Sequence, residues 1–66
     1  MLVRINGEEE FFDNEVTILD YIYSKGLDPE KLIVEYNKKI VKKDKWDEIV
    51  LSNKDSLEVL KFVGGG

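Results

Sequence analysis

Met1-Leu2-Val3-Arg4-Ile5-Asn6-Gly7-Glu8-Glu9-Glu10-Phe11-Phe12 opens the chain. Alternation places Met1, Val3 and Ile5 on one face of a strand, and Asn6-Gly7 follows directly. Asn and Gly both accept positive φ, which a two-residue hairpin turn demands at both central positions. The chain is therefore expected to reverse and run back over Glu8 to Phe12, with the acidic side chains toward water. This hairpin sets the frame in which every later element must find its place.

Beyond the turn-like Asp13-Asn14, Thr17 reads as a helix N-cap, with Asp20 at the capping-box position. Leu19, Ile22 and Tyr23 supply the apolar stripe, and Val16 can pack on Tyr21. Gly26 stops the helix in a left-handed conformation, and Leu27 folds back on Ile22. Asp28-Pro29-Glu30 predicts one short turn leading into a strand over Leu32 to Tyr36.

Asn37-Lys38-Lys39 is turn-prone, and Ile40-Val41 is long enough only for a short edge strand, whose lysines discourage edge pairing. Asp44 to Asp47 suggests a single helical turn laying Trp46 over the core. Ser52 to Asp55 is a polar turn, and the last strand is expected over Ser56 to Val63. The predicted order is β-β-α-β-β-β. The right-handed crossover rule then sets the first and last strands parallel and adjacent at the sheet centre. The fold class is α+β: a ubiquitin-like β-grasp, a mixed sheet of four to five strands with one main helix on one face. Residues 1–63 form the domain, and residues 64–66 a flexible glycine tail.

With 66 residues the chain has room for one domain and no deep cleft. It has 14 acidic and 10 basic residues, a net charge of -4, and neither Cys nor His. Such a surface repels phosphate backbones, so nucleic acid is not an expected partner. Without His or Cys the commonest general base and thiol nucleophile are missing, which points away from an enzyme. No stretch approaches a membrane span, and the opening residues lack a secretion-signal pattern, so a cytoplasmic monomer is expected. Glu8-Glu9-Glu10 reads as a solvated hairpin strand, not a metal site, and Trp46 as a core cap. No bound cofactor is expected.

In the last strand, alternation sends Leu57 and Val59 toward the helix. Leu60 and Phe62 fall on the open face with Glu58, joined by Ile33 and Leu2 and framed by Arg4, Glu35 and Glu58. Leu60, Phe62, Val63, Ile33 and Arg4 are the candidate docking residues. Then come Gly64, Gly65 and Gly66. Glycines pack poorly at a terminus, but a tail without Cβ atoms can thread a narrow tunnel and offer its carboxylate to another protein. A frayed end or a glycine linker fits three glycines equally well.

The opening strand with Asn6-Gly7, the segment Val34-Glu35-Tyr36-Asn37 with Ile40-Val41 and Trp46, and the closing Asp55 to Gly66 together resemble the ThiS family, sulfur carriers of thiamine biosynthesis. Where that pattern favours Gly after the Asn and Pro-Arg after the Val, this chain has Lys38 and Lys42-Lys43. The resemblance implies that the Gly66 carboxylate is adenylated by a ubiquitin-activating-like enzyme using ATP and Mg²⁺. It is then converted to a thiocarboxylate with sulfur from a cysteine desulfurase or another donor, and it delivers that sulfur to thiazole synthase. A small subunit of molybdopterin synthase, or a ubiquitin-like protein modifier, would use the same tail for a different end.

Overall fold

The computed structural model describes residues 1–62. Strand β1 (Leu2–Ile5) turns at Asn6 and Gly7, whose φ angles of 51° and 82° are the positive pair the hairpin requires, into β2 (Glu8–Phe11). Helix α1 (Ile18–Ser24) and a 3₁₀ turn (Pro29–Lys31) lead to β3 (Leu32–Tyr36) and β4 (Lys39–Val41). A second 3₁₀ turn (Lys43–Lys45) precedes β5 (Ser56–Lys61). The sheet order is β2-β1-β5-β3-β4, with β5 parallel to β1 and antiparallel to β3. The expected β-grasp topology is the one observed.

Local chemistry sets the helix ends. Asp20 N donates to Thr17 Oγ1 and Thr17 N donates to Asp20 Oδ2, both at 3.0 Å, so the short Asp side chain closes a full capping box. At the other end Gly26 takes φ 68°. Its N–H donates to the Tyr23 carbonyl, and the Leu27 N–H donates to that of Ile22, a complete Schellman closure. Asp28 caps the 3₁₀ turn by accepting from Glu30 N.

The core is one cluster. Val3 and Ile5, Leu32 and Val34, and Leu57 and Val59 come from the sheet, with Ile18, Tyr21 and Ile22 from the helix and Trp46 and Leu51 from the connections. Trp46 is 2% exposed and its indole Nε1 donates to the Val41 carbonyl at 3.0 Å, so its polar atom is satisfied inside the core.

The helix stripe corrects the expectation. Ile18, Tyr21 and Ile22 are buried, Leu19 is half-buried, and Tyr23 is 62% exposed. Once Ile18 is fixed as the first helical residue, positions three and four further on share its face, and Tyr23 at five points away. Glu10 also departs from the expected solvated strand. It sits half-buried on the helix side, accepting from Tyr21 Oη at 3.2 Å and lying 3.5 Å from Lys25 Nζ. The regular ladder of β5 ends at Lys61, two residues short of the expected end, and Val63 lies outside the described residues.

Candidate functional site

One face of the sheet carries the helix and the other is open. On the open face the antiparallel register sets Ile33 directly opposite Leu60 and Glu35 opposite Glu58. Ile33 is 42% exposed and Leu60 48%, so two aliphatic side chains stand side by side toward solvent. Phe62 follows β5 directly, one residue past its end. Its N–H donates to the Lys31 carbonyl at 3.1 Å, which carries the β3–β5 pairing one step past Lys61 and pins the backbone there. The Phe62 ring is 40% exposed and, with Leu27, Leu32, Lys31 and Lys61, lines a groove of about 460 Å³ at this end of the sheet.

Ile33 and Leu60 are thus brought together, as alternation implies, while Phe62 lies at the same end of the sheet in the groove with Leu27 and Leu32. Ile40 belongs beside them, since β4 places it opposite Glu35 with 71% exposure. It was not among the sequence candidates. The two-residue turn Asn37-Lys38, with φ 49° and 72°, fixes Tyr36 opposite Lys39 and hence turns Ile40 to the open face, a signal available from the turn alone.

Leu2 and Arg4 stand elsewhere. Arg4 is opposite Ser56, four positions along β5 from Leu60, or roughly 13 Å at strand rise. Its guanidinium donates to the Gly7 carbonyl at 3.2 Å and lies 3.7 Å from Glu9. Leu2 pairs with Phe11 at the far corner, so it does not join the Leu60 patch as expected. The reason is the parallel β1–β5 register, which starts level with Ser56 and leaves β1 too short to run alongside Leu60. The candidates Val63, Gly64, Gly65 and Gly66 lie outside the described residues.

A polar cluster braces the start of β5. The Asp55 carboxylate accepts from Tyr36 Oη at 2.6 Å, from Ser52 N at 2.7 Å and from Asn37 Nδ2 at 3.2 Å. Burial pushes the Asp55 carboxyl up, but the three donors outweigh it and hold the group below its ordinary range. The Tyr36 hydroxyl is raised to about 12, by burial first and then by Asp55. These groups are spent on one another and hold the β3–β4 turn against β5. Among the described residues there is no group of three or more His, Cys, Asp or Glu able to hold a metal. No helix among them is long and apolar enough to cross a membrane. What the described residues present is an exposed apolar pair, Ile33 and Leu60, flanked by the Glu35 and Glu58 carboxylates near the end of the central strand.

Comparison with known proteins extends this reading. The ThiS family model matches residues 2–66. The sulfur carrier protein ThiS of Bacillus subtilis (strain 168) is 35% identical over 66 residues, covering 98% of this chain and all of that one. A thiazole synthase of Paramagnetospirillum magneticum is 36% identical over 66 residues, covering all of this chain but only 20% of that protein. Among solved structures, the thiamine biosynthesis protein ThiS from Geobacter metallireducens superposes with a TM-score of 0.84 at 23% identity over the whole of both chains, a likeness of fold.

Proposed function

Because this chain belongs to the ThiS family, the sulfur carriers of thiamine biosynthesis, we propose that its working group is the main-chain carboxylate of Gly66. The face around Ile33, Leu60 and Phe62 presents that group to partner enzymes. The observation carrying this reading is the match to a named sulfur carrier along its whole length, with the exposed apolar face at the end of β5 that leads into the glycines.

The chemistry follows from the unreactivity of a carboxylate, whose oxygens are poor leaving groups. A partner enzyme directs the Gly66 carboxylate oxygen onto the α-phosphorus of ATP, forming the acyl–adenylate and releasing pyrophosphate. Mg²⁺ and cationic groups of that enzyme stabilise the charge. A sulfur nucleophile from a cysteine desulfurase or another donor then attacks the acyl carbon and AMP departs. With a persulfide as that nucleophile the product is an acyl disulfide, and a thiol of the partner enzymes attacks the donor-side sulfur, forming a disulfide with it and releasing the Gly66 thiocarboxylate. In this reading the chain is a co-substrate and the partners perform each step; with no Cys it offers no thiol to intercept its own activated end.

Delivery of the sulfur to thiazole synthase is supported by the Paramagnetospirillum protein of that name, one fifth of which matches this entire chain. A domain carried within the synthase polypeptide is a natural neighbour of the synthase site. We place the free carrier in the cytoplasm as a monomer, where ATP and the desulfurase are at hand.

Incubation of the chain with the adenylating enzyme, ATP, Mg²⁺ and a sulfur donor, followed by intact mass measurement, tests the proposal. Exchange of one terminal oxygen for sulfur is expected. Deletion of Gly66 is expected to abolish the exchange while leaving the melting curve unchanged. An unaltered mass in the parent chain, or exchange that persists without Gly66, overturns the assignment. The double substitution Leu60→Ala with Ile33→Ala is expected to raise the carrier concentration needed for half-maximal adenylation by about tenfold. A parent-like value removes the face from the interface.

A further inference from the structure

The sheet ends on a second surface of opposite character. Residues 38–45 hold five of the ten basic residues of the chain, Lys38, Lys39, Lys42, Lys43 and Lys45, against the single acid Asp44. That segment carries +4, leaving five basic against thirteen acidic residues, or -8, for the remainder of a chain whose total is -4. Lys43 is paired with Glu30, and Lys45 lies 4.0 Å from Glu48. Among the described residues Lys38, Lys39 and Lys42 make no ion pair, and all three are exposed. Lys38 holds φ 72°, a conformation that disfavours a side chain and that Gly would adopt at no cost, so the cation stands where the backbone alone would not choose it.

Lys39, Lys42 and Lys45 rim a groove of about 630 Å³. Its apolar lining is Tyr36, Ile40, Val41 and Ile49, and its charged rim is Lys39, Lys42 and Lys45 with Asp44 and Glu48. The groove runs beside β4, the outermost strand. The Val41 carbonyl already accepts from the Trp46 indole, and with β4 only three residues long the contacts offered to an occupant are chiefly side chains. Tyr36 pairs with Leu57 and Leu32 with Lys61, which puts the groove at the end of the sheet away from Phe62.

We propose that this groove is a second docking surface, independent of the glycine tail, for an extended segment of a partner protein in which acidic residues alternate with aliphatic ones. The aliphatic side chains lie on Ile40, Val41 and Ile49, and the carboxylates meet Lys39 and Lys42, the rim lysines without an ion pair among the described residues. A nucleic acid fits less well: the apolar lining offers its phosphates nothing, and Asp44, Glu48 and the -8 of the remaining surface repel them. Ile40 shares the open face with Leu60 but stands two strands away and one row toward the other end, so a carrier can be held at the groove while its tail is engaged beyond Leu60.

The test is a titration of the ¹⁵N-labelled full chain with a synthetic peptide of alternating Glu and Leu, read as amide shift changes at low salt. Changes are expected over residues 38–45 and at Ile49, with Ile33, Leu60 and Phe62 unmoved. The affinity is expected to fall with added salt, and by about tenfold or more in the double variant Lys39→Glu with Lys42→Glu. Both side chains are exposed, so this variant is expected to melt with the parent; if it does not, Lys39→Gln with Lys42→Gln serves in its place. No binding, changes centred elsewhere, an undiminished affinity in the variants, or equal binding of a Gln-for-Glu peptide overturns the proposal. Tighter binding of an oligonucleotide of equal charge overturns it in favour of a nucleic-acid ligand.

Discussion

The side-chain amide of Asn6 closes on both backbone groups of Val59, accepting from its N–H at 2.8 Å and donating to its carbonyl at 3.3 Å. Strand β1 ends at Ile5, and the Asn6 backbone N–H makes one further bond, to the Leu57 carbonyl at 2.9 Å. Its side chain then stands in for the next residue of the parallel ladder, so the central strand stays supported where its neighbour has already turned away. The strand so supported is the one that leads to the Leu60 face.

Asn6→Ala removes both bonds and leaves Ala at φ 51°. A loss of about 2 kcal/mol is expected, combining two modest hydrogen bonds with the left-handed penalty. Asn6→Gly keeps the turn and loses only the clamp, so about 1 kcal/mol is expected. Urea denaturation of the pair separates the two effects; equal losses would deny the backbone contribution.

Trp46 has no regular element of its own and depends on burial and one hydrogen bond. Trp46→Ala is expected to cost about 3–5 kcal/mol. That equals much or all of the roughly 3–10 kcal/mol available to a domain of this size, so the variant should be largely unfolded by circular dichroism at 25 °C. Trp46→Phe keeps most of the packing but strands the Val41 carbonyl, and about 1–3 kcal/mol is the expected loss.

Much of this structure was legible because the deciding residues act on their immediate neighbours. Asn6-Gly7, Thr17 with Asp20, Gly26, and Asp28-Pro29 each fix a few backbone angles and hydrogen bonds by their own chemistry, and each behaves as read. The failures were questions of relative position. Leu2 shares a face with Leu60, but the β1–β5 register that separates them is set by everything between Phe12 and Asp55 and not by either strand. Tyr23 was misplaced because a seven-residue helix has too few turns for periodicity to single out one stripe. The face of Ile40 depends on the two-residue Asn37-Lys38 turn, whose positive φ angles sit on residues with no glycine to signal them. Of the candidate site, the pairing of Ile33 with Leu60 on the open face followed from alternation alone.

Glu35 and Glu58 are directly opposed across β3 and β5, both half-buried, a cross-strand arrangement that costs stability. Glu58→Gln is expected to stabilise the fold by about 0.5 kcal/mol, measured by chemical denaturation at neutral pH and low salt, with the gain shrinking as salt is added. If the carboxylates meet cations of the adenylating enzyme, the same variant is expected to adenylate less efficiently while being more stable. A variant that is neither more stable nor less readily adenylated would show the pair to be inert.

Acid and alkali should both loosen the Asp55–Tyr36 contact, and alkali the Tyr21–Glu10 contact as well. Asp55 is held below its ordinary value of 3.8, so its contribution is complete above that value and is lost as pH falls through the depressed value in the folded state. Tyr36 and Tyr21 are each raised from 10.0 to about 12, burial being the largest cause in both, with Asp55 and Glu10 respectively adding to it. Their contribution is complete below pH 10 and is lost as pH rises through about 12, because the unfolded chain ionises first. Denaturation midpoints measured across pH should therefore fall on both sides of a broad plateau. Asp55→Asn should lower the plateau and flatten the acid limb, whereas Tyr36→Phe should flatten part of the alkaline limb and leave the share belonging to Tyr21. An acid limb as steep in Asp55→Asn as in the parent would place the acid sensitivity elsewhere in the molecule.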